Sequence, residues 1–444
     1  MSVVIALMFM SNHELSTLFF LQLAIILVAV RLAGTMARKA GQPRVIGEMI
    51  AGILIGPTLL GRMFPELHAQ LIPAQSKPII YAVCHIGIAI YMFIVGLEFQ
   101  TDLVRQRLRS AITISVSGII TPFALGCALA IFLTRNQGLF PAHIAQWQAM
   151  IFMGAAMAIT AFPVLARIIQ ERRLTGSTIG ALTLAAGAID DAAAWCLLAV
   201  VLASLSGSSA IATLAIGGGA AYAAIVLLIA KPLLRRLEEV AAKRGRVTGQ
   251  MLGFVLILLM LAAWFTDFVR IYAVFGAFIL GVAMPRGVVT RDLKRLLEPV
   301  TTNFLVPLFF VYSGLNTQLG LVIESNLAPL ALVVTLVACA GKVAGCGLAA
   351  RLNGESGRDA LSIGVLMNAR GMMELILLNL ALERGVISPA LFAVMVIMTL
   401  TTTLMATPLF DLVSRSRRPS DLNKSGSQAI VNRSNLRIKN ILSS

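Results

Sequence analysis

Two adjacent carboxylates, Asp190 and Asp191, stand in the middle of LTLAAGAIDDAAAWCLLAV, residues 182–200, a run that is otherwise almost entirely apolar. A charged carboxylate at the centre of a bilayer costs about 2.5–3.5 kcal/mol on insertion scales, and intramembrane carboxylates mark ion pathways and proton relays. Helix neighbours point about 100° apart, so the pair cannot serve one ligand from a single direction. One carboxylate can face a cavity while the other faces a partner helix. A carboxylate that is protonated in one condition and ionised in another can exchange H+ for a metal cation. Its hard oxygens suit Na+, K+ or Li+, as they suit Ca2+ and Mg2+ elsewhere. The plain alternative is a buried structural pair satisfied by hydroxyls and water.

Other polar residues fall at similar depth. Lys342, in VACAGKVAGCGLAA, is flanked by Gly341, Gly345 and Gly347, which permit close helix approach. It is the natural partner of an aspartate, in a pair that is functional or purely structural. The stretch AAMAITAFPVLARII carries Thr160 and Pro163. Proline removes a donor and releases the carbonyl of residue i−4, here Ile159. The outcome is a kinked helix or an unwound segment whose carbonyls line a cavity. Further along, GVLMNARGMMELILLNLA holds Asn368, Arg370, Gly371 and Glu374. It is expected to form a second interrupted helix, with Arg370 and Glu374 spaced i, i+4 as a structural pair. Glu48 and Glu98 sit near the ends of apolar runs, where a structural and a functional role are equally open. Of the histidines His13, His68, His85 and His143, only His85 falls within a run, so no metal or nucleophilic constellation emerges. There is no GxxxxGK[ST] phosphate loop, hence no ATP drive and no enzymatic set.

These residues must be positioned by membrane-spanning elements. The chain has 444 residues, 58% hydrophobic and 13% charged, whereas soluble domains carry about 25% charged residues. Runs of spanning length fall at about 17–33, 44–60, 78–98, 110–133, 148–170, 177–204, 211–234, 249–267, 270–285, 301–315, 327–350, 360–382 and 388–412. The fold class is therefore an all-α polytopic membrane protein of about thirteen helices, the ninth and tenth short. With the N-terminus outside, twenty-nine of the 36 basic residues lie on the cytoplasmic side and five outside, leaving Lys342 and Arg370 within spans. That bias follows the positive-inside rule and places the N-terminus outside and the C-terminus in the cytoplasm. The net charge of +16 is topological and does not indicate nucleic-acid binding. The N-terminus lacks a basic n-region, so no cleaved signal is expected. The five cysteines imply neither disulfides nor a metal site.

The expected organisation is a short outer N-terminus (1–16), a transmembrane region (17–412) and a basic, disordered cytoplasmic tail (413–444). Treating 211–234 as a linker helix, repeat one (about 17–204) and repeat two (about 249–412) match with an offset of seven spans. An odd offset makes them inverted repeats, a common transporter plan.

The combination GAIDDAAAW, TAFPVLARII, GKVAG, MNARGMMELILLNLALERGVIS and GEMIAGILIGPTLLG resembles the monovalent cation:proton antiporter superfamily. It is nearest the second branch, the bacterial Na+/H+ and K+/H+ exchangers akin to plant cation/H+ exchangers. The resemblance implies that Asp191 is the principal ion and proton site and that Asp190 pairs with Lys342. It implies two broken helices crossing around Thr160 and Asn368, and a homodimer with a dimerisation domain and a core domain. Alternating access would be elevator-like, H+ and the cation would compete for one site, and no cofactor would be needed. The Asp-Asp-Lys set is associated with electrogenic exchange in that family. Relatives with a cytoplasmic nucleotide-binding domain or a long hydrophilic tail have no counterpart after Arg415, so such regulation is not expected. The rival functions are a cation channel using the same carboxylates and a cation-coupled symporter of an organic solute.

Overall fold

A computed structural model describes residues 11–42, 44–99, 107–135, 138–206, 210–315 and 327–415. The basic tail beyond 415, residues 1–10 and the loop carrying Arg105 lie outside the described residues. The elements are helices: α1 (Asn12–Lys39), α2 (Arg44–Ile55), α3 (Lys77–Glu98), α4 (Leu108–Leu133), α5 (Gln146–Ala158), α6 (Phe162–Glu171), α7 (Thr178–Ser206), α8 (Ala210–Ala224) and α9 (Lys231–Arg244). They continue with α10 (Gly249–Phe268), α11 (Ala273–Ala283), α12 (Val288–Val300), α13 (Val306–Leu315), α14 (Ala328–Leu352), α15 (Gly357–Leu366), α16 (Met372–Glu383) and α17 (Pro389–Arg415). Among the described residues, nine helical segments are long and apolar enough to cross a membrane. The apolar runs read from the sequence each fall on a helix or on consecutive helical pieces.

Local chemistry sets the ends. Ser11 and Glu14 form a reciprocal capping box at the start of α1. Thr248 and Ser356 cap α10 and α15 with their hydroxyls, and Gly245 ends α9 in the left-handed conformation. The tenth run differs from a simple span. Amphipathic α12, with Val289 and Leu293 buried, runs into α13 through a wide π-turn at Thr301–Leu305. Pro299 lacks an amide, and side chains bond the carbonyls around it. Thr301 Oγ1 donates to Leu297 O (2.7 Å), Thr302 Oγ1 to Glu298 O (2.7 Å) and Asn303 Nδ2 to Pro299 O (2.9 Å).

The helices pack in two groups. In one, α2 lies on α1 and α13, and α3 on α11 and α13, with α10 behind α11. In the other, α4 packs on α5, α7 and α14, while α14 packs on α15 and α17. The pairing has a regularity: α4 meets α5 as α14 meets α15, and α4 meets α7 as α14 meets α17. Between the groups the seam is thin. α6 touches α2 and α3, and an apolar cavity of about 340 Å³ separates Met49 and Ile53 of α2 from Ile397 and Leu400 of α17.

The first group is held at two glycine crossings. A Cβ on Gly52 would lie 2.3 Å from Val311 O, and one on Gly314 2.5 Å from Met49 O. The second crossing repeats this, with Gly96 2.3 Å from Phe278 O and Gly281 2.2 Å from Phe93 O. No side chain fits at these distances, so α2 meets α13 and α3 meets α11 backbone to backbone. Gly253 on α10 has nothing within 4 Å. Overpacking typically costs about 1–3 kcal/mol, so Gly96→Val should lower the thermal unfolding midpoint in detergent. Gly253→Val should leave it unchanged; equal midpoints would show the crossing to be slack.

Candidate functional site

The second group is built around two interrupted helices. α5 ends at Ala158, and Ile159 and Ala161 take extended backbone before α6 starts at Phe162. Pro163 falls in the first turn of α6, where its missing amide costs no intrahelical bond. The interruption is thus an unwound segment rather than a kink. The second break runs from Met367 to Gly371, between α15 and α16. The two breaks cross and are tied together. Ala161 N donates to Ala369 O (2.9 Å), and Thr160 Oγ1 to Met367 O (2.8 Å). Gly371 admits this approach, since a Cβ there would lie 2.9 Å from Val164 Cγ2.

Ending α5 in the interior leaves carbonyls without intrahelical partners. Two cations take them. Arg370 donates from Nη1 to Ala156 O (2.9 Å) and from Nη2 to Met157 O (2.6 Å). Lys342 Nζ donates to Ala158 O (2.5 Å), to Gly118 O (2.8 Å) and to Asp190 Oδ2 (3.0 Å). The three hydrogens of an ammonium therefore meet three acceptors. Both cations also sit at the negative end of the α5 dipole. All four charged partners, Lys342, Asp190, Arg370 and Glu374, are at most 1% exposed.

Each cation has its own anion. Asp190 faces Lys342, and also the Thr160 amide and hydroxyl, whose one hydrogen is shared with Met367 O. Glu374 lies 3.4 Å from Arg370 Nη1, longer than the bonds Arg370 makes to carbonyls. Thr403 accepts from Arg370 N (3.0 Å) and donates to Arg370 O (2.7 Å), anchoring the second break to α17. Asn368 donates to Cys339 Sγ (3.1 Å), and its Oδ1 has no partner.

Asp191 is different. It is buried on α7, beside the Phe162 amide at the positive end of α6, and its Oδ1 has no hydrogen-bond partner. No cation is paired with it among the described residues. Asp190 and Asp191 thus face different surroundings from one helix.

Arg167 on α6 was counted in the sequence only as one of the cytoplasmic bases. It is buried between Glu48 of α2 (3.8 Å) and Glu171 (2.9 Å), and Glu171 also accepts from Arg44 N (2.7 Å). Beside it, Gln170 bonds Glu298 (3.1 Å) and accepts from Tyr91 (3.3 Å), while Lys294 bridges Glu298 and Glu98. The i, i+4 spacing of Arg167 and Glu171 is the signal that could have found the pair; nothing in the sequence marks its burial against α2.

Similarity to known proteins runs along nearly the whole chain. The family model for the transmembrane sodium/hydrogen exchanger matches residues 23–413. The Na(+)/H(+) antiporter NhaS4 of Synechocystis sp. is 37% identical over 398 residues, covering 88% of this chain and 96% of its own. The Arabidopsis thaliana cation/H(+) antiporter 18 is 34% identical and the Saccharomyces cerevisiae K(+)/H(+) antiporter 1 is 32% identical. The chain spans about half the length of those two, 49% and 46%, while 90% and 89% of it are covered. The structure of the sodium proton antiporter MjNhaP1 from Methanocaldococcus jannaschii shares the fold, with a TM-score of 0.62, 17% identity and coverage of 90% of this chain and 97% of that one.

Removing one partner of a buried pair costs about 3–5 kcal/mol. Lys342→Ala and Asp190→Asn should each lower the unfolding midpoint, and the double variant should lose less than their sum; full additivity would show no coupling. Arg370→Met should cost more than Glu374→Gln, because it also strips donors from Ala156 and Met157. Equal losses would mean that the carbonyl bonds contribute nothing.

Proposed function

The chain belongs to the sodium/hydrogen exchanger family, a multi-pass membrane cation/proton antiporter, and on that premise we propose that Na+ or K+ competes with H+ for Asp191. One observation carries this: among the described residues, the buried charges around the two helix breaks are paired except for one. Lys342 with Asp190 and Arg370 with Glu374 are two neutral pairs, which leaves the Asp191 carboxylate uncompensated. A lone ionised carboxylate in a low-dielectric interior is strongly unfavourable. Either a proton or a monovalent cation neutralises it, and one excludes the other. That is exchange, with no ATP and no cofactor required.

Asp191 Oδ1, which no described group bonds, is the oxygen assigned to the cargo, with the Thr160 hydroxyl as a further hard ligand. Asp190 and Lys342 set the charge beside the cation. If the cation also draws Asp190 away from Lys342, the lysine gives up a second proton and exchange becomes electrogenic.

Alternating access follows from the two-group packing. We assign α4–α7 and α14–α17 as a moving core and the glycine-crossed helices as the dimerisation scaffold of a homodimer, with α1–α7 and α10–α17 as the two inverted repeats. The tie between the breaks lets the core carry the site as one piece, and the thin seam at α2 and α17 is where it slides, in the manner of an elevator. The basic residues place the N-terminus outside and the C-terminus in the cytoplasm.

The test is collapse of an imposed pH gradient in proteoliposomes on adding Na+ or K+ separately. Native protein should respond to at least one, which names the ion. Asp191→Asn should fall to the level of empty liposomes while its unfolding midpoint stays at or above that of the native protein, since an uncompensated buried charge is removed. Normal exchange by Asp191→Asn would overturn the mechanism.

A further inference from the structure

We propose that His85 and Tyr272 relay protons between the membrane face on which α3 begins and Asp191. The inference deepens the exchange mechanism above and rests on it.

Hydrogen-bond direction is the starting point. His85 Nδ1 lies 2.7 Å from Tyr81 O. A carbonyl only accepts, so Nδ1 carries the hydrogen. In the neutral ring Nε2 is then an acceptor, and it lies 2.9 Å from the Tyr272 hydroxyl. The tyrosine therefore donates to the histidine. The rings meet edge-on, with centroids 5.5 Å apart at 88°.

Tyr272 is delivered to this position by unusual backbone. It is buried, with φ 101° and ψ 136°, immediately before α11. A bulky residue at positive φ costs on the order of 1–3 kcal/mol, and such strain clusters at functional sites. A cheaper chain path would place a glycine there and lose the hydroxyl.

The same short helix reaches the exchange site. Phe278 of α11 packs edge-on against Phe162 (5.0 Å, 90°), the residue whose amide faces Asp191. Six residues of helix rise about 9 Å, which sets the offset between Tyr272 and that contact.

Towards the opposite end, Tyr81 stacks on His85 with centroids 3.7 Å apart and is 45% exposed. Tyr312 of α13 packs on Tyr81 (5.6 Å). Asp267, at the end of α10, acts electrostatically on Tyr81, His85 and Tyr272, and Cys84 lies beside Tyr272. These are the titratable groups facing the pair. They form a polar cluster in the end of the scaffold remote from the Arg167 cluster, and α11 runs from that cluster to the Phe278–Phe162 contact.

The transfer balances. H+ from the medium binds His85 Nε2, and the Tyr272 hydroxyl turns to accept from it, directing its own hydrogen towards the site. The Nε2–H proton passes to the tyrosine oxygen as the tyrosine's hydrogen leaves to water, and water carries a proton across the remaining distance to Asp191. One H+ enters, one leaves, and both side chains end neutral. Reorientation of the hydroxyl resets the pair, and the reverse sequence exports a proton.

The experiment uses the full chain in proteoliposomes of one orientation, with the pH of each face varied alone. Tyr272→Phe and His85→Gln should slow exchange about tenfold when protons must cross the α3-start face. That is less than a direct proton-transfer group contributes, because water partly replaces the relay. The pH profile of the opposite face should not change. Added imidazole should restore flux in His85→Ala, a rescue that a purely structural histidine would not permit. Unchanged profiles on both faces, or slowing without rescue in variants whose melting midpoints are native, would overturn the relay. Absence of exchange in native vesicles would instead sink the underlying antiport mechanism.

Discussion

Three carbonyl oxygens, those of Ala156, Met157 and Ala158, are the constraint on which the interior depends. A helix that stops in the middle of an apolar protein exposes them with no water to satisfy them, and each unmet group costs about 1–3 kcal/mol. Lys342 meets the need from α14 and Arg370 from the second break. Burying two cations then demands two anions, and Asp190 and Glu374 are those anions. The broken helix thus explains a neutral set of four charges without reference to transport. Asp191 is the carboxylate left over at this crossing, which is why the proposed exchange is assigned to it.

The same interruption ties the site together mechanically. The backbone bond from Ala161 to Ala369 and the side-chain bond from Thr160 to Met367 join the two breaks at their crossing. Thr403 holds the second break to α17 from the far side. The parts around the two breaks are therefore mutually bonded, whereas α6 reaches α2 and α3 through long polar side chains, Arg167 to Glu48 and Gln170 to Tyr91. Stiffness lies inside the block and compliance at its edge.

Much of this was legible in the chain. Intramembrane carboxylates, a lysine among glycines and a proline after Ile159-Thr160 are strong signals because the bilayer makes each of them expensive. Less could be read where the outcome turns on tertiary contact. Arg370 and Glu374 suggested a local i, i+4 pair, yet the shorter bonds of Arg370 run to α5, more than two hundred residues earlier. Arg167 looked like one more cytoplasmic base because charge counting does not see burial. His85 looked isolated because its partner lies 187 residues away and is aimed by backbone strain that no local pattern announces. The short α11 and α13 were visible as weak apolar runs, but the π-turn before α13 depends on side chains filling in around Pro299.

The glycine crossings of the first group carry a consequence of a different kind. Gly52 with Gly314 and Gly96 with Gly281 join helices through dispersion contacts alone, with no charged side chain at the point of contact. Such joints respond to neither acidity nor ionic strength. Under the proposed exchange, in which the cargo site changes its protonation in every cycle, the frame would not register the change. The mechanical zero against which any displacement is measured stays put, whatever the electrical state of the neighbouring block.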